Sequence, residues 1–436
     1  MPQDTICKTV RQYSKAPISS EDMGKLQEIA KDYKQVKNYV YARFGGIGSL
    51  SKIYPGYTIQ NEMTESGLRN QLGLPSVYFY LAIFDALGDI RGQWGKTKNR
   101  ILDLLHKNET LLEQEKHYLR FVLKVNNAFE AVLNQREVCL PKAIEVTYGN
   151  LASQVNAEKL NRYLCRQVRK YHGKLQTEKE DGFSISERAY RYGDCGIYIS
   201  IKEKRKRVFI PLTDHNQYNC QLRIKLYPNE GRVEIQVPVY VAVKNHEDYI
   251  HPVGIAIGMS AMLTTDKGKI YGEKLGEFQT RYADWIRIQT KNYNQNRKDN
   301  PGRKKYYAKK KRLTEQMHSY INQELNRFLQ TEKPSVVYMA GLPKRQTGGR
   351  NRKINHYVGL WQKGYILKRL TLKCQEQSVK LTEVLGKDIS RECSSCKAAG
   401  IREGGIFRCD ACGWQGDEKV NTARNALRRG MEKSGN

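Results

Sequence analysis

The stretch HPVGIAIGMSAMLTTDKGKIYG, residues 251–272, decides how the chain is read. It has the shape of the first strand of an enzyme active site, followed by a hairpin. A strand of that kind usually carries a carboxylate. At the corresponding place, between Gly254-Ile255 and Ile257-Gly258, this chain has Ala256. Two readings are open at this point: an active-site strand whose acid has been replaced, or an ordinary hairpin that never carried one.

The rest of the chain narrows the choice. Its 436 residues suffice for two or three domains, each with its own core, because single cores stop growing near ~250–300 residues. Lys and Arg total 75 against 45 Asp and Glu, a formal net charge of +30. An excess of this size exceeds what solubility needs and points to a polyanion, with nucleic acid the leading partner. No uninterrupted apolar run approaches the ~20 residues that span a bilayer, so no membrane association is expected. The start, MPQDTICKTVRQY, has no apolar core of a secretion signal, and a cytoplasmic, nucleic-acid-associated protein is expected.

Residues 5–17 can hold one strand, and Ser20 followed by Glu21 and Asp22 marks a helix start. Behind it Met23, Leu26, Ala30, Tyr33, Val36 and Val40 recur at helical spacing. A turn-rich region is expected over 45–75. Ile83, Leu87, Ile90 and Trp94 then mark a second helix, residues 111–134 a third, and 150–175 a basic helix. From about residue 183 the period changes to two: GIYISI (196–201), QLRIKLY (221–227) and the alternating Val233, Ile235, Val237, Val239, Val241 and Val243 predict a small antiparallel sheet or barrel. The N-terminal strand is a candidate member of that sheet, with the helical module inserted between. Past residue 250 come the hairpin, a very basic helix, the buried strand SVVYMAGL (335–342), a further helix and a cysteine cluster.

That cluster is the most specific motif. Cys393-x2-Cys396 and Cys409-x2-Cys412 lie twelve residues apart, with GIFRCDACGWQG (405–416) reading as the hairpin that brings them together. Four thiolates make a closed tetrahedral site for structural zinc and leave no open position for catalysis. The remaining cysteines, Cys7, Cys139, Cys165, Cys195, Cys220 and Cys374, are scattered and read as small buried hydrophobes. The run RKDNPGRKKYYAKKKR (297–312) places Lys304, Lys305, Lys309, Lys310, Lys311 and Arg312 on a helix that can track phosphates, with Tyr306 and Tyr307 as candidates for stacking on bases. The glycine-bearing PKRQTGGRNRK (343–353) adds Lys344, Arg345, Arg350, Arg352 and Lys353.

Three further segments carry a resemblance. GIAIG (254–258), AGL (340–342) and GDEKVNTARNAL (416–427) occur in the order of the split RuvC-like domain of the TnpB transposon nucleases and the miniature type V CRISPR effectors. In that family the first strand reads G-I-D-x-G, the second ends in a glutamate with leucine two positions on, and the last helix opens with D-x-N-A-A-x-N just after a zinc knuckle. The resemblance covers residues 250–430 well and residues 1–250 by arrangement alone. It implies that the family carboxylates fall on Ala256, Ala340 and Lys419, with Asp417 the nearest acid for a third ligand. Asp417 as an ordinary helix cap is the equal alternative.

The fold expected is therefore multidomain α+β. Residues 1–19 would give the first strand of a small wedge-like antiparallel β-domain, 20–135 a helical recognition lobe inserted in it, and 136–248 its remainder with a basic helix. Residues 249–436 would form a RuvC-like domain of the RNase H fold, with a zinc ribbon over 388–416. The resemblance implies RNA-guided binding of double-stranded DNA beside a short flanking motif, with guide RNA and target DNA as partners; self-association is left open. An active parent would cut DNA with magnesium, but two bridged magnesium ions need carboxylates and alanine offers no oxygen, so this chain is expected not to cut. Engineered inactivation and natural decay into an RNA-guided repressor both stand. A transposase- or resolvase-like DNA binder without guide RNA is the alternative from another class, and a zinc-ribbon RNA-binding structural protein ranks last.

Overall fold

A computed structural model of the chain describes residues 5–293, 302–341 and 352–434. Two compact units are present, one of Cys7–Val239 and one of Tyr240–Asn436 together with Met1–Ile6. No helix among the described residues is long and apolar enough to cross a membrane.

In the first unit the N-terminal strand β1 (Thr5–Tyr13) leads into helix α1 (Ser20–Phe44). The cap of α1 is Ser19, one residue before the expected start: its hydroxyl accepts the Asp22 N–H at 3.0 Å. Met23, Leu26, Ala30, Tyr33, Val36 and Val40 form its buried stripe. That stripe packs on the long helix α2 (Ser76–Lys107), and the Tyr33 hydroxyl donates to Asp85 at 2.6 Å. The region over 45–75 is more helical than its glycines suggest. Helices Tyr57–Glu65 and Leu68–Leu72 each start after a glycine, Gly56 and Gly67, held at positive φ. The helix expected over 111–134 is broken at Val125 into Glu113–Lys124 and Asn126–Leu133, and a basic helix runs from Ala157 to Tyr171.

Strands β2 (Gly182–Ile185), β3 (Leu222–Tyr227) and β4 (Arg232–Ala242) complete a four-stranded sheet of order β1-β4-β3-β2, so the N-terminal strand does join it. Tyr190–Gly193, Gly196–Ser200 and Arg207–Pro211 make a separate three-stranded sheet. Helices and sheets share one continuous core, from Leu26 and Phe79 to Phe183 and Ile235.

In the second unit the quoted stretch becomes β5 (His251–Ile257), β6 (Leu263–Thr265) and β7 (Ile270–Tyr271), an antiparallel meander. Helices α3 (Leu275–Tyr293) and α4 (Arg303–Glu332) precede β8 (Pro334–Ala340), and α5 (Lys363–Glu376) precedes β9 (Lys380–Val384). The sheet order is β7-β6-β5-β8-β9, with β8 parallel to both β5 and β9. Three antiparallel strands followed by two parallel ones is the arrangement of the RNase H fold.

Both faces of β5 are covered, which is why it reads as nearly all apolar. Val253, Ile255 and Ile257 join Phe328, Leu329, Ile366 and Leu370 in the core beneath α4 and α5. On the opposite face lies the C-terminal helix α6 (Glu418–Ser434). It approaches so closely that a Cβ on Gly254 would sit 2.1 Å from the Ala423 carbonyl oxygen, and one on Gly430 would sit 2.0 Å from the Tyr338 ring. These two glycines let α6 lie flat on the sheet and bring its first turn to the ends of β5 and β8.

Candidate active-site cleft and metal centre

Met339 on β8 pairs with Ile255 on β5 in parallel register, so Ala340 and Ala256 stand side by side one residue further on. They share the face that carries Gly254 and Tyr338, and therefore look toward α6. Both line a cavity of about 180 Å³ together with Ser390, Arg402, Lys419 and Thr422. The sequence-predicted positions Ala256, Ala340 and Lys419 thus converge on one cleft at the C-terminal ends of parallel strands. Asp417, at the end of a short strand, accepts the Lys419 and Val420 N–H groups at 2.7 and 2.9 Å. It caps α6 and does not line the cavity.

Three polar lining residues, Arg402, Ser390 and Thr422, escaped the sequence reading. Arg402 donates through Nε and Nη2 to Glu418 Oε2 at 2.9 and 2.7 Å, and through Nη1 to Ser390 Oγ at 3.1 Å. Lys419 Nζ lies 3.4 Å from the other Glu418 oxygen. Burial raises the Glu418 pKa, but the hydrogen bond from Arg402 and the Lys419 charge outweigh it, and the carboxyl is held below its ordinary range. The lining is thus apolar at Ile255, Ala256, Ile257, Met339 and Ala340, hydroxyl at Ser390 and Thr422, and cationic at Arg402 and Lys419. None supplies a carboxylate to magnesium, and a magnesium pair does not fit.

Before α6 in the chain, the four paired cysteines come together, with all four sulfurs within 4.8 Å of one another. The Cys393–Cys412 and Cys396–Cys409 sulfur separations are 3.7 and 3.5 Å. A zinc tetrahedron with Zn–S bonds of about 2.3 Å has sulfur–sulfur edges of roughly 3.8 Å, so the cluster has the size that zinc requires. Phe407 packs against the buried Cys393 and Cys409. Strands Ile401–Glu403, Ile406–Arg408 and Gln415–Asp417 form the ribbon's sheet. Asn421 and Asn425, fully buried on α6, tie the ribbon down: Asn421 accepts the Ser394 N–H at 2.8 Å, and both side-chain amides donate to the Glu392 carbonyl.

The scattered cysteines divide. Cys374 is buried and Cys165 and Cys220 are half-buried, but Cys7, Cys139 and Cys195 are exposed, against the expectation that all fill cores.

The basic run begins α4. Lys305, Lys309, Lys311 and Arg312 are exposed and Lys310 is half-buried; Lys304 lies in the same helix. Tyr306 is 5% exposed and stacks on Trp285 at 5.2 Å, which removes it as a base-stacking surface and leaves Tyr307 as the exposed ring. Lys309 lies over the Trp285 ring at 5.4 Å. Of the second basic patch, Arg352 opens a short helix, Arg352–Leu360, while Lys344, Arg345 and Arg350 lie outside the described residues.

Residues 364–426 match the family model described as "Cas12f1-like, TNB domain". No curated protein matches the chain. Solved structures similar to it include a Cas12f1–sgRNA–target DNA complex (14% identity, 98% of this chain and 99% of that one, TM-score 0.43). Another is the mini-RNA-guided endonuclease CRISPR-Cas_phi3 (10% identity, 98% and 92%, TM-score 0.47). A third is C2c1 of Alicyclobacillus acidoterrestris with single-guide RNA (8% identity, 97% and 88%, TM-score 0.42).

Proposed function

We propose, from a chain whose C-terminal region carries a Cas12f1-like TNB domain, that the protein binds double-stranded DNA under the direction of a guide RNA and does not cut it. The observation that carries this reading is the cleft. Ala256 and Ala340 stand side by side at the strand ends beside the start of α6, where the resemblance puts the metal-binding acids, and Lys419 lines the same space. The guide would read sequence by base pairing, and the protein would read a short flanking motif and hold the backbones through its basic surface. Zinc would be held by Cys393, Cys396, Cys409 and Cys412 and would fix the ribbon against α6. Magnesium belongs only to an active ancestor.

Lys419 also favours natural decay over engineered inactivation. Two alanine substitutions would suffice to disable a working cleft, and they would not account for a lysine in the third frame or for its pairing with Glu418 beside Arg402.

The test is the RNA that accompanies the protein. Purified from cells carrying the gene with its native flanks, it should bring down a discrete structured RNA whose variable end directs binding to matched DNA without cleavage. Heterogeneous nucleic acid that high salt strips away would instead support the transposase- or resolvase-like DNA binder without a guide.

A further inference from the structure

The cleft that has lost its acids has also changed sign. Lys419 and Arg402 contribute two positive charges and Glu418 one negative, which leaves a net positive cleft without any metal. In a two-metal site the ions present positive charge to the scissile phosphate, and the carboxylates only hold the ions. Here the positive charge belongs to the protein. Lys419 is positioned for it: its Cε lies 3.7 Å from where a Cβ on Gly258 would stand, so its stem crosses the end of β5 beside Ala256. Arg402 is fixed by Glu418 and Ser390 on the far wall, and both cationic side chains keep about a third of their surface exposed, 36% in each case. The two alanines supply room and no charge to compete.

We propose that this cleft binds a phosphodiester directly, with the Lys419 ammonium and the Arg402 guanidinium replacing metal ions as the groups that face the phosphate oxygens. The site would clamp a nucleic-acid strand at the place where an active relative would cut one, so the loss of catalysis leaves a holding point. The inference rests on reading the cleft as a dismantled metal site, but it requires neither a guide nor a matched target.

The experiment uses the full chain in EDTA, with lysine acylation read residue by residue by mass spectrometry, in the presence of single-stranded DNA, single-stranded RNA or inorganic phosphate. Lys419 should be protected severalfold by a strand, and the strand that protects at the lower concentration identifies the source of the phosphodiester. Protection should be equal with magnesium present. In Ala256→Asp with Ala340→Glu, two restored carboxylates facing Lys419 should abolish protection in EDTA. Lys419→Ala, at a partly exposed position in the first turn of α6, should lower the slope of log affinity for single-stranded DNA against log salt by about 0.7, as expected for one phosphate contact on a single strand. Lys419 labelled equally with and without both strands, or an unchanged salt slope in Lys419→Ala, would overturn the proposal. Either result would leave the guide-RNA reading standing, since that reading is tested by the copurifying RNA.

Discussion

In the proposed reading of the cleft, a methyl group stands at Ala256 and at Ala340 where a metal ligand's oxygen would have to be, and such a loss is reversible by substitution. At Lys419 the change is of another kind, because an ammonium placed about 4 Å from a divalent ion would oppose it by several kcal/mol even at an effective dielectric constant near 20. Ala256→Asp with Ala340→Glu should therefore give no cutting of a bound target in magnesium. Adding Lys419→Asp should yield magnesium-dependent cutting that EDTA abolishes; cutting by the double variant alone would show that Lys419 does not block the ions. Asp417→Ala should leave any restored cutting in place, since its carboxylate already accepts two N–H groups at the start of α6, and should cost about 1 kcal/mol of stability through removal of the cap. The resemblance to the RuvC-like frames led to Ala256, Ala340 and Lys419, because the short glycine- and asparagine-bearing stretches around them match those frames. It could not decide between cap and ligand for Asp417, because a carboxylate before a helix serves either use. Arg402 and Ser390 were illegible because they belong to the ribbon segment and reach the cleft only through the tertiary fold.

Among the elements, the zinc ribbon was the most legible, because metal chemistry fixes its spacing, and the glycine-rich region over 45–75 was the least. There, glycines read as turn residues are the positive-φ starts of two short helices. The sequence located α1 and its first residue, Ser20, but did not single out the cap before it, since Ser19 and Ser20 are equally good caps by type. Neither did the pattern over 111–134 reveal its break at Val125, because both fragments keep apolar residues toward one core. The ribbon's energetic role follows from its attachment. Asn421 and Asn425 bond to the backbone at Ile389, Glu392 and Ser394, so the metal site and the first turns of α6 are one structure. Freshly purified protein should contain about one zinc per chain. Cys393→Ser, or a strong chelator, should release it and lower the melting temperature of the second unit while that of the Cys7–Val239 unit stays the same. A zinc-free protein of unchanged stability would show that the four thiols pack without metal.

For the whole molecule the question is whether a net charge of +30 acts as a diffuse cloud or through particular contacts. A cloud would be insensitive to a few residues, since 75 basic side chains contribute to it and charges beyond a Debye length of about 8 Å are screened at physiological salt. Direct phosphate binding would be sensitive, because each phosphate neutralised releases counterions and adds about 0.7–0.9 to the slope of log affinity against log salt. The first turns of α4 are suited to it. Stacking of Tyr306 on Trp285 braces the helix against α3, and Lys309 lies over the outer ring of that stack. Lys311 is partly engaged with Glu315 at 3.8 Å, in an exposed pair of little strength, so it can exchange that partner for a phosphate. Replacing Lys309, Lys310 and Lys311 with alanine should therefore weaken binding to single- and double-stranded DNA and flatten the salt dependence by about 0.7–0.9 for each phosphate no longer neutralised. Alanine favours helix at these positions, so the melting temperature should hold and a fall in affinity would report binding alone. A slope that stays the same in the triple variant would mean that the run is solvated surface and that the strand is held elsewhere on the basic protein.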